Sequence, residues 1–197
     1  FIEFPSSNTH ELLVFTNQCQ VYKCKVAAFE DTKSAQLGSY LPTELEMDPD
    51  ETVTWIVDPE DYKADVLFVF ENGRVARVAL SGYATKTNRK RLKNAMYGGS
   101  RLLFATVLKE EREIALVSSD YRLMNFNTSL LRTKTTNNTQ GVRAFVAKEG
   151  RTVTMVGKAE EVLGGEASLD KFQVASLPSS GVPMKETDMK SLFDLDE

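Results

Sequence analysis

The chain has few of the residues that most often carry catalysis or bind metals. Its 197 residues include two cysteines and one histidine. Cys19 and Cys24 lie in one predicted hairpin and His10 stands alone, so the spacing of a metal site or of a Cys/His nucleophile pair is absent from the sequence. We therefore predict reduced, structural thiols, no catalysis by this chain and no cofactor bound to it.

Long apolar runs are also absent. No apolar stretch approaches the roughly 18 residues that a membrane span requires, so we expect a soluble chain with no membrane partner. Reduced thiols make the cytoplasm the expected compartment. The sequence begins at Phe1, without an initiator methionine or a signal-peptide pattern. We expect it to be a piece of a longer polypeptide.

One pattern of two strands occurs three times. An apolar run leads into a polar turn and then into a second, alternating strand, and the runs begin at Leu12, Val66 and Ile114. These starts are 54 and 48 residues apart, a period that suits the four short strands of a propeller blade. A further apolar residue, at Phe29, Tyr83 and Leu131, lies eight positions after the start of each second strand. Because a lone hairpin cannot bury its apolar face, the repeats must stack.

This period predicts an all-β chain with less than about 15% helix and three to four blades of four strands each. The predicted repeats lie near residues 10–62, 63–110 and 111–157. Because the repeat pattern fades after Val156, we expect an open arc rather than a closed ring. Residues 158–185 are predicted to hold a linker and one last strand, at 171–177, and residues 186–197 an acidic tail.

Charge is distributed unevenly along the chain. The net charge is −4, but residues 63–151 carry seventeen Lys or Arg against seven Asp or Glu, a local net of +10. Residues 1–62 carry three basic and twelve acidic side chains (−9), and residues 152–197 carry four and nine (−5). A basic middle between acidic ends indicates a polyanionic partner.

Two basic runs follow the second strand of a repeat, where equivalent loops of a propeller would lie on the same rim. Phosphate binding needs cations and hydrogen-bond donors spaced along such a rim, rather than side chains that read bases. The alternative for each run is a solvated loop without a partner. The predicted DNA-binding residues are Arg77, Lys86, Arg89, Lys90, Arg91, Lys93, Arg101, Arg132, Lys134 and Arg143, with Thr85, Thr87, Asn88, Asn137 and Asn138 as further donors.

Three stretches carry a resemblance to a known family. The first stretch, HELLVFTNQCQVYKCKVAAFED, contains an apolar strand followed by T-N, a turn and V-Y-[KR]. The second, FENGRVARVALSGY, matches the motif G-[KR]-V-x-R-x-x-L-S-x-[FY]. The third, NTQGVRAFVAKEGRTVTMV, matches [TS]-[RQ]-G-V-[RK]-x-[IF] and a closing hairpin. Over residues 1–157, the chain resembles the C-terminal domain of the A subunit of bacterial type IIA topoisomerases, DNA gyrase and topoisomerase IV.

The resemblance implies a β-pinwheel, a propeller-like domain whose blades exchange strands and whose basic rim binds and bends double-stranded DNA with low sequence specificity. It implies a parent enzyme, an ATP-dependent type II topoisomerase, whose ATPase B subunit would be a partner together with the rest of the A subunit. The heptapeptide Q-R-R-G-G-K-G of gyrase is absent, but the blade that carries it would precede Phe1, so the type of topoisomerase stays open. The segment DTKSAQLG at 31–38 is not basic, so we expect its blade to contribute weakly to DNA binding. The alternative function is a propeller that binds acidic proteins as a scaffold.

The acidic end of the chain has two interpretations. Residues 186–197 contain five acidic residues and one lysine. A tethered acidic segment can compete with DNA for a basic surface, because the tether keeps its effective concentration high. The alternative is an inert, disordered end.

Overall fold

The computed structural model describes residues 3–33, 35–85, 89–157, 162 and 169–185. Short β-strands make up most of the regular structure in this part of the chain. The strands are β1 (Glu11–Thr16), β2 (Val21–Lys25), β3 (Val53–Val57), β4 (Asp65–Phe70), β5 (Arg74–Ala79), β6 (Arg91–Leu92), β7 (Leu102–Leu108), β8 (Glu113–Ser118), β9 (Arg122–Asn127), β10 (Val142–Arg143), β11 (Val153–Gly157) and β12 (Val182–Pro183). Helical segments are α1 (Leu41–Glu44) and 3-10 turns at Val26–Ala28, Leu80–Tyr83, Thr128–Leu130 and Leu169–Phe172.

The strands form three four-stranded antiparallel sheets with one common order. Sheet A is β3-β1-β2-β6, sheet B is β7-β4-β5-β10 and sheet C is β11-β8-β9-β12. The fourth strand of sheet A, β6, follows β4 and β5 in the sequence, and that of sheet B, β10, follows β8 and β9. Each of these two sheets therefore receives a strand from the next repeat. The prediction of an all-β pinwheel with four-stranded blades is confirmed.

The hairpin turns of the three sheets have the same geometry. The third residue of each turn donates its backbone N–H to the carbonyl three positions earlier, at 3.1, 2.9 and 2.9 Å for Cys19, Gly73 and Tyr121. These residues have positive φ angles of 58°, 78° and 55°. A three-residue hairpin loop that ends in the left-handed conformation produces this pattern. The repeat seen in the sequence is thus a repeat of backbone conformation, although only the second turn places glycine there.

Gly73 allows a test of this turn. A Cβ at this position would meet a Val153 methyl carbon at 4.0 Å, an ordinary contact, so only the positive φ opposes a side chain. We expect Gly73→Ala to lower the free energy of unfolding by about 1 kcal/mol. Tyr121→Gly, at the equivalent turn, is expected to raise it by about 0.5 kcal/mol, because strain relief exceeds the entropy cost of glycine. Urea titration measures both, and two shifts of the same sign would contradict the shared geometry.

The chain divides into two compact units. The first comprises Phe1–Ala64, Ala79–Gly98 and Thr135–Asn138 and contains sheet A; the second comprises Asp65–Val78, Gly99–Lys134 and Thr139–Glu197 and contains sheets B and C. In the second unit, side chains of both sheets form one hydrophobic cluster. Its fully buried members include Leu67, Val69, Ile114, Leu116 and Phe126. Alternation along β4, β8 and β9 supplies these residues, as expected for stacked blades.

The 3-10 turns after β2, β5 and β9 place the predicted apolar anchors. The turns begin alike: the N–H groups of Val26, Leu80 and Thr128 donate to carbonyl oxygens just before or at the start of the preceding hairpin, at 2.9–3.0 Å. Tyr83 is fully buried and Leu131 is 4% exposed, whereas Phe29 is half-buried. The anchors that follow β5 and β9 are therefore more completely buried than the one that follows β2.

The predicted strand at 171–177 is wrong. A 3-10 turn occupies Leu169–Phe172 and buries Phe172, and Gln173 makes only a single bridge to Asn125. Pro178, which has no N–H for a ladder, then follows, and β12 supplies the fourth strand of sheet C. The predicted acidic tail and most of the predicted linker lie outside the described residues. The longest α-helix that the structure describes has four residues, far too few to cross a bilayer.

Candidate nucleic-acid interface

Strand β6 lies at the edge of sheet A and is held there by Arg91. Its residues pair with β2 as Tyr22↔Arg91 and Val21↔Leu92, and Lys90 accepts a 2.8 Å hydrogen bond from the Lys23 N–H. The Arg91 guanidinium contacts the Asp48 carboxylate and the Gln20 side-chain oxygen, and lies 5.4 Å from the centre of the Tyr22 ring. Arg91 lowers the pKa of the Asp48 carboxyl. It therefore fixes the position of the basic loop around β6.

A buried carboxylate, that of Glu51, forms hydrogen bonds with the residues around Arg91. Glu51 is 5% exposed and accepts hydrogen bonds from the Tyr22 hydroxyl at 2.7 Å, from the Asp48 N–H at 3.1 Å and from the Thr16 hydroxyl. Burial and the Glu51 carboxylate raise the pKa of Tyr22 to about 12. Glu51 thus joins β1, β2 and the segment that carries Asp48 into one polar network.

Three cations beside this network face solvent. Arg89, Lys90 and Lys93 are exposed, and among the described residues none of them has an ion-pair partner. All three residues flank the two-residue strand β6, so they lie in one loop region of the first unit. Lys86, also predicted to bind DNA, lies outside the described residues. Arg89, Lys90 and Lys93 therefore form the exposed part of the basic run.

The second unit repeats the combination of one anchored arginine with exposed cations. Arg77 is only 15% exposed, with its Nε 2.6 Å from Asp65 and one Nη 2.7 Å from Glu111. Its carbonyl accepts a 2.9 Å hydrogen bond from the Lys134 N–H, and the Thr133 hydroxyl donates to Asp65 at 2.7 Å. The ion pair therefore positions the segment that carries Lys134.

The remaining predicted residues of the second unit are exposed. Arg132, Lys134 and Arg143 have no ion-pair partner in the part of the chain that the structure describes. Arg101 is 70% exposed and lies 3.1 Å from Glu71, a surface pair of small energy. The predicted set thus separates into two anchoring arginines, Arg77 and Arg91, and a larger group whose charges are available to a ligand.

Comparison with known proteins relates this chain to enzymes that act on DNA topology. The DNA gyrase A protein of Escherichia coli (strain K12) is 25% identical over 150 residues, which are 75% of this chain. The crystal structure of the C-terminal domain of DNA topoisomerase IV superposes with a TM-score of 0.73 at 21% identity, over 89% of this chain and 58% of that one. The C-terminal domain of E. coli ParC gives 0.71 at 11% identity, over 92% and 79%.

The chain is similar in sequence to the DNA gyrase A protein and shares its fold with the C-terminal domains of topoisomerase IV and ParC. No family model matches it. The matched residues span 17% of the length of the E. coli gyrase A protein. The exchange of β6 and β10 between sheets, seen above, is the pinwheel arrangement that the resemblance implied.

An acidic segment shares a groove with two of the exposed cations, which sequence reasoning missed. Glu44 and Glu46, at the end of α1, line a groove of about 480 Å³ in the first unit together with Arg89 and Lys90. The two groups are more than forty positions apart in the sequence, so no linear spacing links them. Their carboxylates reduce the positive potential that the cations offer to a phosphate.

Neutralising this acidic segment is expected to strengthen DNA binding. Glu44→Gln with Glu46→Gln removes two negative charges near Arg89, and we expect a rise in duplex affinity of about threefold to tenfold at low salt. Fluorescence anisotropy with a labelled duplex measures it. Glu30→Gln with Glu149→Gln, two exposed sites elsewhere, is the matched control for net charge. An equal gain in both double variants would show that only total charge matters.

Proposed function

We propose that this chain is the DNA-binding and DNA-bending C-terminal domain of a type IIA topoisomerase A subunit. The observation that carries the proposal is the group of exposed cations on anchored loops in both units: Arg89, Lys90, Lys93, Arg132, Lys134 and Arg143. Ion pairs hold the adjacent backbone in place, so binding costs less ordering of the chain. The similarity to DNA gyrase and topoisomerase IV supports DNA as the ligand of these cations.

The chemistry of these side chains favours phosphate contacts over base reading. Lysine and arginine on loops beside a β-sheet displace counterions from the DNA backbone, which gives affinity without sequence preference. Cations on successive blades bend a duplex when each takes a phosphate, and the contacts offset a bending cost of about 1–6 kcal/mol for a site of about 20–30 bp. The bent segment is then presented for strand passage.

The proposal extends to the parent protein. That protein is an ATP-dependent type II topoisomerase of the cytoplasm, and the partners of this chain are the ATPase B subunit, the remainder of the A subunit, and DNA. This chain contributes DNA capture and carries none of the catalytic steps.

Salt dependence tests the proposal. Six phosphate contacts predict a slope of log affinity against log salt near −5, at about 0.9 per contact, and equal affinity for unrelated duplexes. Anisotropy titrations between about 0.05 and 0.2 M salt measure the slope. Energy transfer between labels at the two ends of a duplex of about 30 bp reports bending. Absence of binding at the lowest salt would overturn the DNA-binding proposal and leave the scaffold alternative.

A further inference from the structure

A second cavity of the first unit has a lining suited to an anion. It has a volume of about 330 Å³ and is open to solvent. Arg89 and Lys93 contribute two cations to it, and Asn94, Thr136 and Asn138 contribute neutral groups that can donate hydrogen bonds. None of the described residues that line it has a carboxylate. The cavity therefore favours a negatively charged, oxygen-rich ligand over a cation.

Tight packing fixes the wall that Thr136 and Asn138 belong to. The Asn137 side-chain amide donates to the Gly82 carbonyl at 3.0 Å. A Cβ on Gly82 would lie 2.8 Å from the Thr135 carbonyl oxygen, so the close approach of the two segments requires glycine at this position. Residues 136–138 are thus held against the 3-10 turn Leu80–Tyr83 before any ligand binds.

The opposite wall is fixed by the same turn. The buried Tyr83 hydroxyl donates to the Ala95 carbonyl at 2.9 Å, and the Ala95 N–H donates to the Cys19 carbonyl at 2.9 Å. Asn94, directly before Ala95, has a positive φ of 51°. Both walls therefore depend on the segment Leu80–Tyr83, and the backbone that carries the donor side chains is held in place without a ligand.

We propose that this cavity binds one phosphate group of the DNA backbone. Two cations supply the charge attraction, and the side chains of Asn94, Thr136 and Asn138 donate to the phosphate oxygens and set its position. The volume is roughly ten times the 30 Å³ that a water molecule occupies, enough for a phosphodiester with the start of its two sugars. This assignment rests on the proposed DNA binding and adds a defined seat that fixes the register of the duplex on the first unit.

Neutral substitutions separate this seat from a general attraction to positive charge. In the full chain, Thr136→Ala with Asn138→Ala removes two donors and no charge. We expect about fivefold or greater loss of duplex affinity with an unchanged salt slope. Arg89→Gln with Lys93→Gln should instead lower the slope by about 0.9, because both cations neutralise the same phosphate. Asn8→Ala with Thr32→Ala, exposed neutral positions of the same unit, is the control and should bind as the parent does.

A second arm uses inorganic phosphate as the probe. Nuclear magnetic resonance of the parent should show saturable shifts of the Asn94 and Asn138 side-chain amides, and the Thr136→Ala, Asn138→Ala variant should bind phosphate more weakly. If that variant binds duplex as tightly as the parent, the seat is overturned while DNA binding stands. If the parent binds no duplex but phosphate still shifts these amides, the anion site survives and its assignment to DNA is overturned.

Discussion

Replacing Arg89, Lys90 and Lys93 with alanine is expected to weaken duplex binding by about one to two orders of magnitude near 0.1 M salt. The three side chains are exposed and form no ion pair within the described part of the chain, so they are available to the DNA backbone. The salt slope should fall by about 1.8, at 0.9 per lost phosphate contact, since Arg89 and Lys93 share one phosphate and Lys90 contacts another. Anisotropy titrations at several salt concentrations measure both quantities. The variant leaves the contacts of Arg91 with Asp48 and Gln20 intact, so β6 should remain in place.

The matched control removes three positive charges elsewhere. Lys33, Lys63 and Lys185 are exposed, and their joint replacement by alanine changes the net charge by the same amount. We expect it to alter affinity by less than about threefold, since only long-range attraction changes and salt screens it within about 10 Å at 0.1 M. Equal losses in both triple variants would show that the loop around β6 is not a preferred contact.

The hairpins of the fold were predictable from the sequence because each is defined locally. Alternation and a polar turn specify β1-β2, β4-β5 and β8-β9, and the burial of these strands repeats as the pattern requires. The fourth strands were not predictable. β6, β10 and β12 have two residues each, too few to show a period, and β10 is exposed. These segments become strands only because each pairs with a hairpin far away in the sequence. The wrong prediction of a strand at 171–177 illustrates this.

For the candidate site, the sequence identified the cations but not their different roles. Arg91 and Arg89 look alike in a basic run, yet Arg91 contacts Asp48, 43 positions away, and Arg77 contacts Glu111, 34 positions away. The buried Lys23 side chain forms an ion pair at 2.9 Å with Glu11, which is a third exposed. Only the tertiary structure brings Arg91 to Asp48 and Arg77 to Glu111, whereas Lys23 and Glu11 are neighbours across the paired strands of one hairpin. Which cations remain available to a ligand therefore depends on the tertiary structure.

Replacing Glu51 with alanine is expected to lower the free energy of unfolding by about 3 kcal/mol, the largest stability change that we expect. Glu51 accepts hydrogen bonds from the Thr16 and Tyr22 hydroxyls and from the Asp48 N–H, and all of these donors would lose their acceptor in a buried place. A buried donor without a partner costs about 1–3 kcal/mol. Relaxation of the structure and entry of water make the total cost for the three donors smaller than the sum of the separate costs. Urea titration followed by Trp55 fluorescence measures the change.

Tyr22→Phe isolates one contact of this network and gives it a pH signature. Burial and Glu51 raise the pKa of Tyr22 to about 12 from its usual value near 10. The neutral hydroxyl is therefore favoured by folding, and its contribution is fully present below about pH 10 and is lost as the pH rises to about 12. We expect the parent to be about 1 kcal/mol more stable than Tyr22→Phe at neutral pH, with the difference shrinking across that alkaline range. A difference that stays constant up to pH 12 would mean that the Tyr22 hydroxyl does not bind Glu51 in the folded chain.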